Sequence, residues 1–197
     1  MTERRGKGKA REALVVGAAA QAIAERGFAN VRVSDVAERA GMSPGHVTYY
    51  FPSKGDLLMR AIRQSEESLA GQVAEALKRI PDPWKRLDQL LALSAANGRG
   101  DPGWILWLEV WSNAALDPGI ARVHDELDRR WRGILIDVIT FGCGQGAFHA
   151  DDPDETARLL SAVIDGLSIQ LTLGSAGMGR GDLLRLCHTA ARALLRA

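Results

Sequence analysis

Apolar residues recur along this chain at intervals of three and four, the period of helices that bury one face. Residues 10 to 26 place Leu14, Val15, Ala18, Ala22 and Ile23 on one stripe; Gly27 ends the run, and Phe28 stands where it would cover the helix end. From Lys54 no breaker appears before Ile80 and Pro81 apart from an internal Gly71. That run predicts a helix of about 25 residues, or about 40 Å at the usual rise per residue. Further helices are predicted over 83–97, 102–116, 118–142, 153–173 and 181–196, divided by proline and by glycine-rich joints. With the two short helices described next, the reading is an all-α fold of about nine helices.

Residues 34 to 54, SDVAERAGMSPGHVTYYFPSK, organise the chain. Val36, Ala37 and Ala40 form a small apolar face that lets another helix cross closely. Gly41 supplies the positive φ that ends the first helix. Ser43 is placed to accept from a free backbone N–H, and Pro44 fits the first helical position because its missing N–H would be unpaired there. Ala37, Gly41 and Val47 therefore have the separations of a helix-turn-helix. On the second helix Val47 and Phe51 share one side. Opposite them lies Tyr49, with Gly45 and His46 beside it and Thr48 and Tyr50 on the flanks. This outward face is uncharged, aromatic and hydrogen-bonding, which suits base edges, thymine methyls and phosphates in a DNA major groove. Ser53 and Asp56 have capping-box spacing, and Lys54 in the first turn of the next helix opposes its dipole, which points to an outside anion such as phosphate.

Charge sharpens that picture. The net formal charge of +1 conceals nine Lys or Arg against five Asp or Glu in residues 1 to 54, and sixteen against nineteen in the remainder. A basic end on a mildly acidic body fits a phosphate-binding domain joined to a regulatory one. Five of the positive charges fall between Arg4 and Arg11, a segment expected to be disordered until it meets DNA, or to serve as a solubilising tail. No apolar run approaches a membrane span and no signal core follows the basic start, so a cytoplasmic protein is expected. Cys143 and Cys187 lack metal-ligand spacing and read as free thiols. The acids Asp151, Asp152, Asp154 and Glu155 complement the dipole of the helix that starts around Pro153. No nucleophile elbow, metal-binding His-Glu helix or cofactor loop is present, so neither enzyme, metal nor cofactor is expected.

Two features of the body carry candidate chemistry. Trp104, Trp107, Leu108 and Trp111 lie at i, i+3, i+4 and i+7, with Ile105, Leu106 and Val110 on the other side. A helix apolar nearly all round is expected to run buried through the second domain. Its three indoles and Glu109 would equip a pocket for an apolar or aromatic effector, with a cation as one option; a tryptophan-rich core satisfies the same pattern. The last two helices hold more apolar surface than one core-facing stripe needs, and Leu159, Val163, Gly166, Leu167, Leu183 and Leu194 would pair with a second copy as a four-helix bundle.

The run from about residue 10 to 60, with its helix-turn-helix, aromatic run, Pro52-Ser53-Lys54 and leucine-rich helix start, resembles the DNA-binding domain of the tetracycline-repressor-like (TetR) family of bacterial regulators. The resemblance implies residues 1–54 as the DNA-binding domain and 55–197 as an effector-binding and dimerisation domain. It places base-reading and groove-facing roles on Pro44, Gly45, His46, Thr48 and Tyr49, and phosphate contacts on Tyr50 and Lys54. At the start of the preceding helix, where the family usually has Thr or Ser, Arg32 and Ser34 keep phosphate-binding chemistry. It further implies a homodimer on a palindromic double-stranded operator, released by a small-molecule effector. Repression is the family default, with activation or effector-independent binding as alternatives. The C-terminal pattern bears a faint similarity to choline and betaine regulators, too slight to name an effector.

Overall fold

The structure, a computed structural model, describes residues 2–27, 30–175 and 177–196. Among the described residues it is built of helices alone: α1 Thr2–Arg26, α2 Val33–Arg39, α3 Pro44–Tyr50, α4 Lys54–Lys78, α5 Pro83–Ser94, α6 Pro102–Ala114, α7 Pro118–Gly144, α8 Pro153–Leu173 and α9 Arg180–Leu194. Five of these begin with a capping residue followed by proline. Ser43, Asp82, Asp101, Asp117 and Asp152 each accept hydrogen bonds from backbone amides of the first turn they precede. Asp152 thus caps α8, while Asp154 and Glu155 lie in its first turn, at the helix start where the sequence placed the acidic cluster.

Helix α1 starts at Thr2, not near residue 10, so the basic segment is helical where disorder was expected. Lysine and arginine are good helix formers, and extending an existing helix carries no nucleation cost, which outweighs Gly6 and Gly8. Phe28 lies outside the described residues.

The chain separates into two compact units, one formed by the chain up to Ser68 with Glu109–His124, the other by Leu69–Leu108 with Asp125 onward. This division by packing follows different lines from the division at residue 54 that the resemblance implies, since α4, α6 and α7 each contribute to both units. In the first unit Val15, Ala19, Ala22 and Ile23 of α1 are buried with Val36, Ala37, Val47 and Phe51 and with Leu57, Leu58, Ala61 and Ile62 of α4. Leu14 is 60% exposed, so the buried stripe of α1 runs through Val15, Val16 and Ala19 instead. In the second unit, α5, α8, α9 and the adjoining parts of α4 and α7 enclose a core that includes Leu77, Leu87, Leu91, Ile139, Leu160 and Leu183.

Helix α6 departs from expectation. Only Val110 is fully buried, Ile105 is 40% exposed, and Trp104, Leu106, Trp107, Leu108 and Trp111 are half-buried. Apolar character on every side suggested a core helix. An indole, however, is large enough to bury much of its area while leaving an edge in solvent, and here the helix passes from one unit to the other between Leu108 and Glu109.

Candidate nucleic-acid interface and effector side chains

The helix-turn-helix is held by short-range bonding that the sequence dictates. Gly41 adopts φ +65°, and the amides of Gly41 and Met42 donate to the carbonyls of Glu38 and Ala37, closing α2. Ser43 Oγ then accepts from the His46 amide at 3.3 Å and starts α3. At the front of α2 the Arg32 amide donates to Asp35 Oδ2 at 2.9 Å. That bond holds the Asp35 carboxyl below its ordinary value; burial opposes it and the Arg26 guanidinium, 2.8 Å away, assists. Arg39 grips both oxygens of Glu25, at 2.7 and 2.5 Å, tying α2 to α1.

On this frame Val47 and Phe51 point into the core, at 1% and 7% exposure, which turns the rest of α3 outward. Arg32, Ser34, Pro44, Gly45, His46, Thr48 and Tyr49 are exposed, while Tyr50 and Lys54 are half-buried. Tyr49 is 81% exposed, and its ring meets that of Tyr50 edge to face with centroids 5.3 Å apart. All nine sequence-derived positions therefore belong to one helix-turn-helix and its flanks. One detail was not legible beforehand. The Thr48 hydroxyl donates back to the carbonyls of Pro44 and Gly45 at 3.2 and 3.1 Å, so it offers an outside partner a methyl group and a lone pair rather than a proton. Ser53 Oγ accepts from the Asp56 amide at 3.0 Å and donates to the Asp56 carboxylate at 2.7 Å, which fixes the start of α4 and with it Lys54.

The candidate effector side chains divide between the units. In the second, Asp101 sets the start of α6: Oδ1 accepts from the amides of Gly103 and Trp104 at 2.9 and 3.1 Å, and Oδ2 from the amide and side chain of Asn97 at 2.8 and 2.9 Å. Trp104 packs against the core of that unit, and Trp107 and Leu108 are half-buried. In the first unit Trp111 Nε1 donates to His124 Nε2 at 2.8 Å, and Glu109 is half-buried. The candidate dimer residues also divide. On α8, Leu159 is 48% exposed and Gly166 has open space where a Cβ would stand, while Val163 and Leu167 are half-buried. On α9, Leu183 has to be withdrawn as a pairing residue: it is fully buried in its own core, one turn from Cys187 on the inward face, and Leu194 packs partly on that core. The exposed leucine of α9 is Leu186, at 37%.

Comparison with known proteins adds the decisive observation. The family model described as "BetI-type transcriptional repressor, C-terminal" matches residues 83–196, and that described as "Bacterial regulatory proteins, tetR family" matches 15–61. The chain belongs to the TetR family. Within it, the BetI-type match agrees with individual relatives. The HTH-type transcriptional regulator BetI of Rhizobium meliloti is 30% identical over 188 residues, covering 95% of this chain and 90% of that protein. BetI of Agrobacterium fabrum is 31% identical over 173 residues, covering 86% and 80%. Among solved structures, a transcriptional regulator from Saccharomonospora viridis in complex with choline superposes with a TM-score of 0.76 at 33% identity, covering 92% of this chain and 95% of that one.

This TetR-family chain is accordingly a DNA-binding transcriptional repressor and not an enzyme, and dimer formation accompanies membership. Among the described residues, no helix is long and apolar enough to cross a membrane. The residues that sequence reasoning missed are supporting ones. Asp101 had a signal, since an acid directly before proline is a helix start, but His124 lies thirteen residues from its partner and had none.

Proposed function

We propose that this repressor reads a palindromic operator as a homodimer through Pro44, Gly45, His46, Thr48 and Tyr49, with Arg32, Ser34, Tyr50 and Lys54 on phosphates, and that a small organic cation of the quaternary ammonium class releases it. One observation carries the DNA-reading assignment. The outward face of α3 is aromatic and hydrogen-bonding, with Tyr49 81% exposed, while the same helix anchors Val47 and Phe51 in the core. Apart from its edge contact with Tyr50, a ring that exposed gains little from folding, and a groove-bound base or phosphate would cover it.

The effector class is supported by the choline bound to the Saccharomonospora relative and by the chemistry of α6. Three indoles and one carboxylate on a single helix offer π faces and a counter-charge to a quaternary ammonium group, which has no N–H to donate. Leu159, Val163, Gly166 and Leu167 of α8, with Leu194 of α9, are the proposed pairing residues, joined by Leu186 in place of Leu183. Effector binding would favour a dimer whose recognition helices no longer match the half-site spacing, with the continuous helix α4 carrying the shift.

The test is selection of bound sequences from a random duplex pool, with the parent and with a Tyr49→Ala, Lys54→Ala double variant, followed by titration of the selected complex with choline chloride. Enrichment of a palindrome by the parent alone, and its release by choline, supports both parts. Enrichment that survives in the double variant would remove the assigned face, and a complex indifferent to choline would remove the effector class.

A further inference from the structure

Trp111 and His124 form a pair within the first unit, built by the helical hairpin of α6 and α7. Asp117 caps α7 through the amides of Gly119 and Ile120, and the amides of Leu116 and Asp117 donate to the Asn113 carbonyl at 3.0 and 2.9 Å. This hairpin brings the last turn of α6 against the second turn of α7, and the Trp111 indole donates to His124 Nε2 at 2.8 Å, the two rings near perpendicular at 75°. An indole has one N–H and no acceptor. Nε2 must therefore offer a lone pair, and His124 is neutral with its proton on Nδ1 whenever the bond is made.

The consequence concerns what Trp111 can offer a ligand. With its single donor engaged by His124, the indole has no N–H left for a carboxylate or carbonyl and presents only its π surface. The bond also fixes the orientation of that surface, because rotation of the ring would cost the hydrogen bond of a half-buried donor. We propose that His124 is a specificity-determining positioning residue of the effector response. By accepting the Trp111 N–H it turns a ring able to recruit hydrogen-bond acceptors into a wall that favours a quaternary ammonium group, whose nitrogen has neither donor nor acceptor. The proposal rests on the reading that Trp111 lines the effector site.

The test uses the full-length dimer labelled with ¹⁵N at its indoles and imidazoles, with Trp111 assigned through Trp111→Phe, and choline chloride as the probe. In the parent, the His124 Nε2 signal has unprotonated character and the Trp111 N–H resonance stands at a hydrogen-bonded position. His124→Phe moves that resonance towards the unbonded position and weakens choline binding about tenfold, the size of one well-placed cation–π contact. His124→Gln, whose amide oxygen can accept, restores affinity to within about threefold of the parent. A protonated Nε2 in the parent, or a Trp111 resonance unmoved in His124→Phe, would overturn the pairing. Unchanged choline affinity in His124→Phe with a displaced resonance would overturn the specificity role while leaving the pairing intact. Where His124→Phe does not fold, the parent tautomer and the His124→Gln affinity decide the matter. Failure of choline to bind the parent at all, with the Trp111 resonance in its bonded position, would instead overturn the underlying effector reading and the proposal with it.

Discussion

Two aspartates in the second unit show how environment gives one side chain opposite effects. Asp165 on α8 is half-buried, and burial first, then the Asp128 carboxylate, pushes it up to about 6 from an ordinary 3.8. The folded chain thus binds this proton more tightly than the unfolded chain does. Stability is greatest below the ordinary value and falls as pH rises through about 6. Asp165→Asn removes the charge, so it should stabilise the protein at pH 7.5 by about 2 kcal/mol, with the gain vanishing below about pH 4. Urea unfolding of parent and variant at equal protein concentration, at both pH values, checks it. Asp101 behaves in reverse. Burial pushes it up, but the bonds from Asn97, Trp104 and Gly103 prevail and hold it below the ordinary value, so its contribution is present at neutral pH and is lost as pH falls through the depressed value. Asp101→Ala should cost about 2 to 3 kcal/mol at pH 7, since it removes the α6 cap and leaves the Asn97 amide without its acceptor. Its thermal midpoint should fall, and acidification should narrow the gap.

The elements were largely legible, because their starts are written in local chemistry. Ser43-Pro44, Asp152-Pro153 and the capping pair Ser53 and Asp56 mark α3, α8 and α4 without reference to the rest of the chain. Their ends were less legible, as α7 illustrates. Gly142 and Gly144 suggested termination near residue 142, yet the helix runs to Gly144, because glycine weakens a helix without forbidding it and tertiary packing decides. That packing gives Gly142 its purpose. A Cβ there would stand 2.0 Å from the Phe148 ring, which is buried and meets Trp84 edge to face at 4.7 Å. Phe148 therefore lies against bare backbone. Gly142→Ala raises helix propensity, but it should still destabilise the protein by about 2 kcal/mol through overpacking, and Phe148→Leu in the same chain should recover part of the loss, a coupling readable in a double-mutant cycle. The surroundings of α6 were illegible for a related reason. Periodicity reports how apolar a helix is, while its cover depends on elements distant in sequence. The same limit hid the partnership of Trp111 with His124 and the inward turn of Leu183.

At the scale of the whole molecule, the proposed assignment places DNA reading and self-association on different helices, which makes the two separately testable. Neither α3 nor the start of α4 carries an exposed leucine, isoleucine or valine, whereas α8 and α9 carry exposed leucines. Leu159, Ala162, Gly166 and Leu173 fall on one outward stripe of α8, with Leu159 48% and Leu173 66% exposed, and Leu186 and Ala193 fall on the outward side of α9. Aliphatic side chains left in water along two helices lose the gain that burial against a second copy would return, at roughly 25 cal/mol per Å². A palindromic operator then couples that gain to DNA binding, because the second recognition helix engages as an intramolecular partner once the first is bound. Leu159→Glu with Leu186→Glu should therefore yield a folded monomer by sedimentation. Affinity for the full palindrome should fall by at least about a hundredfold while the weak affinity for an isolated half-site stays in place. Tyr49→Ala with Lys54→Ala should do the opposite, leaving the dimer intact and removing both affinities. If the leucine variant sediments as a dimer, the pairing surface lies away from these stripes. If it is monomeric yet binds the palindrome as tightly as the parent, avidity is not what holds this repressor to its operator, and the base contacts of a single α3 must supply the affinity alone.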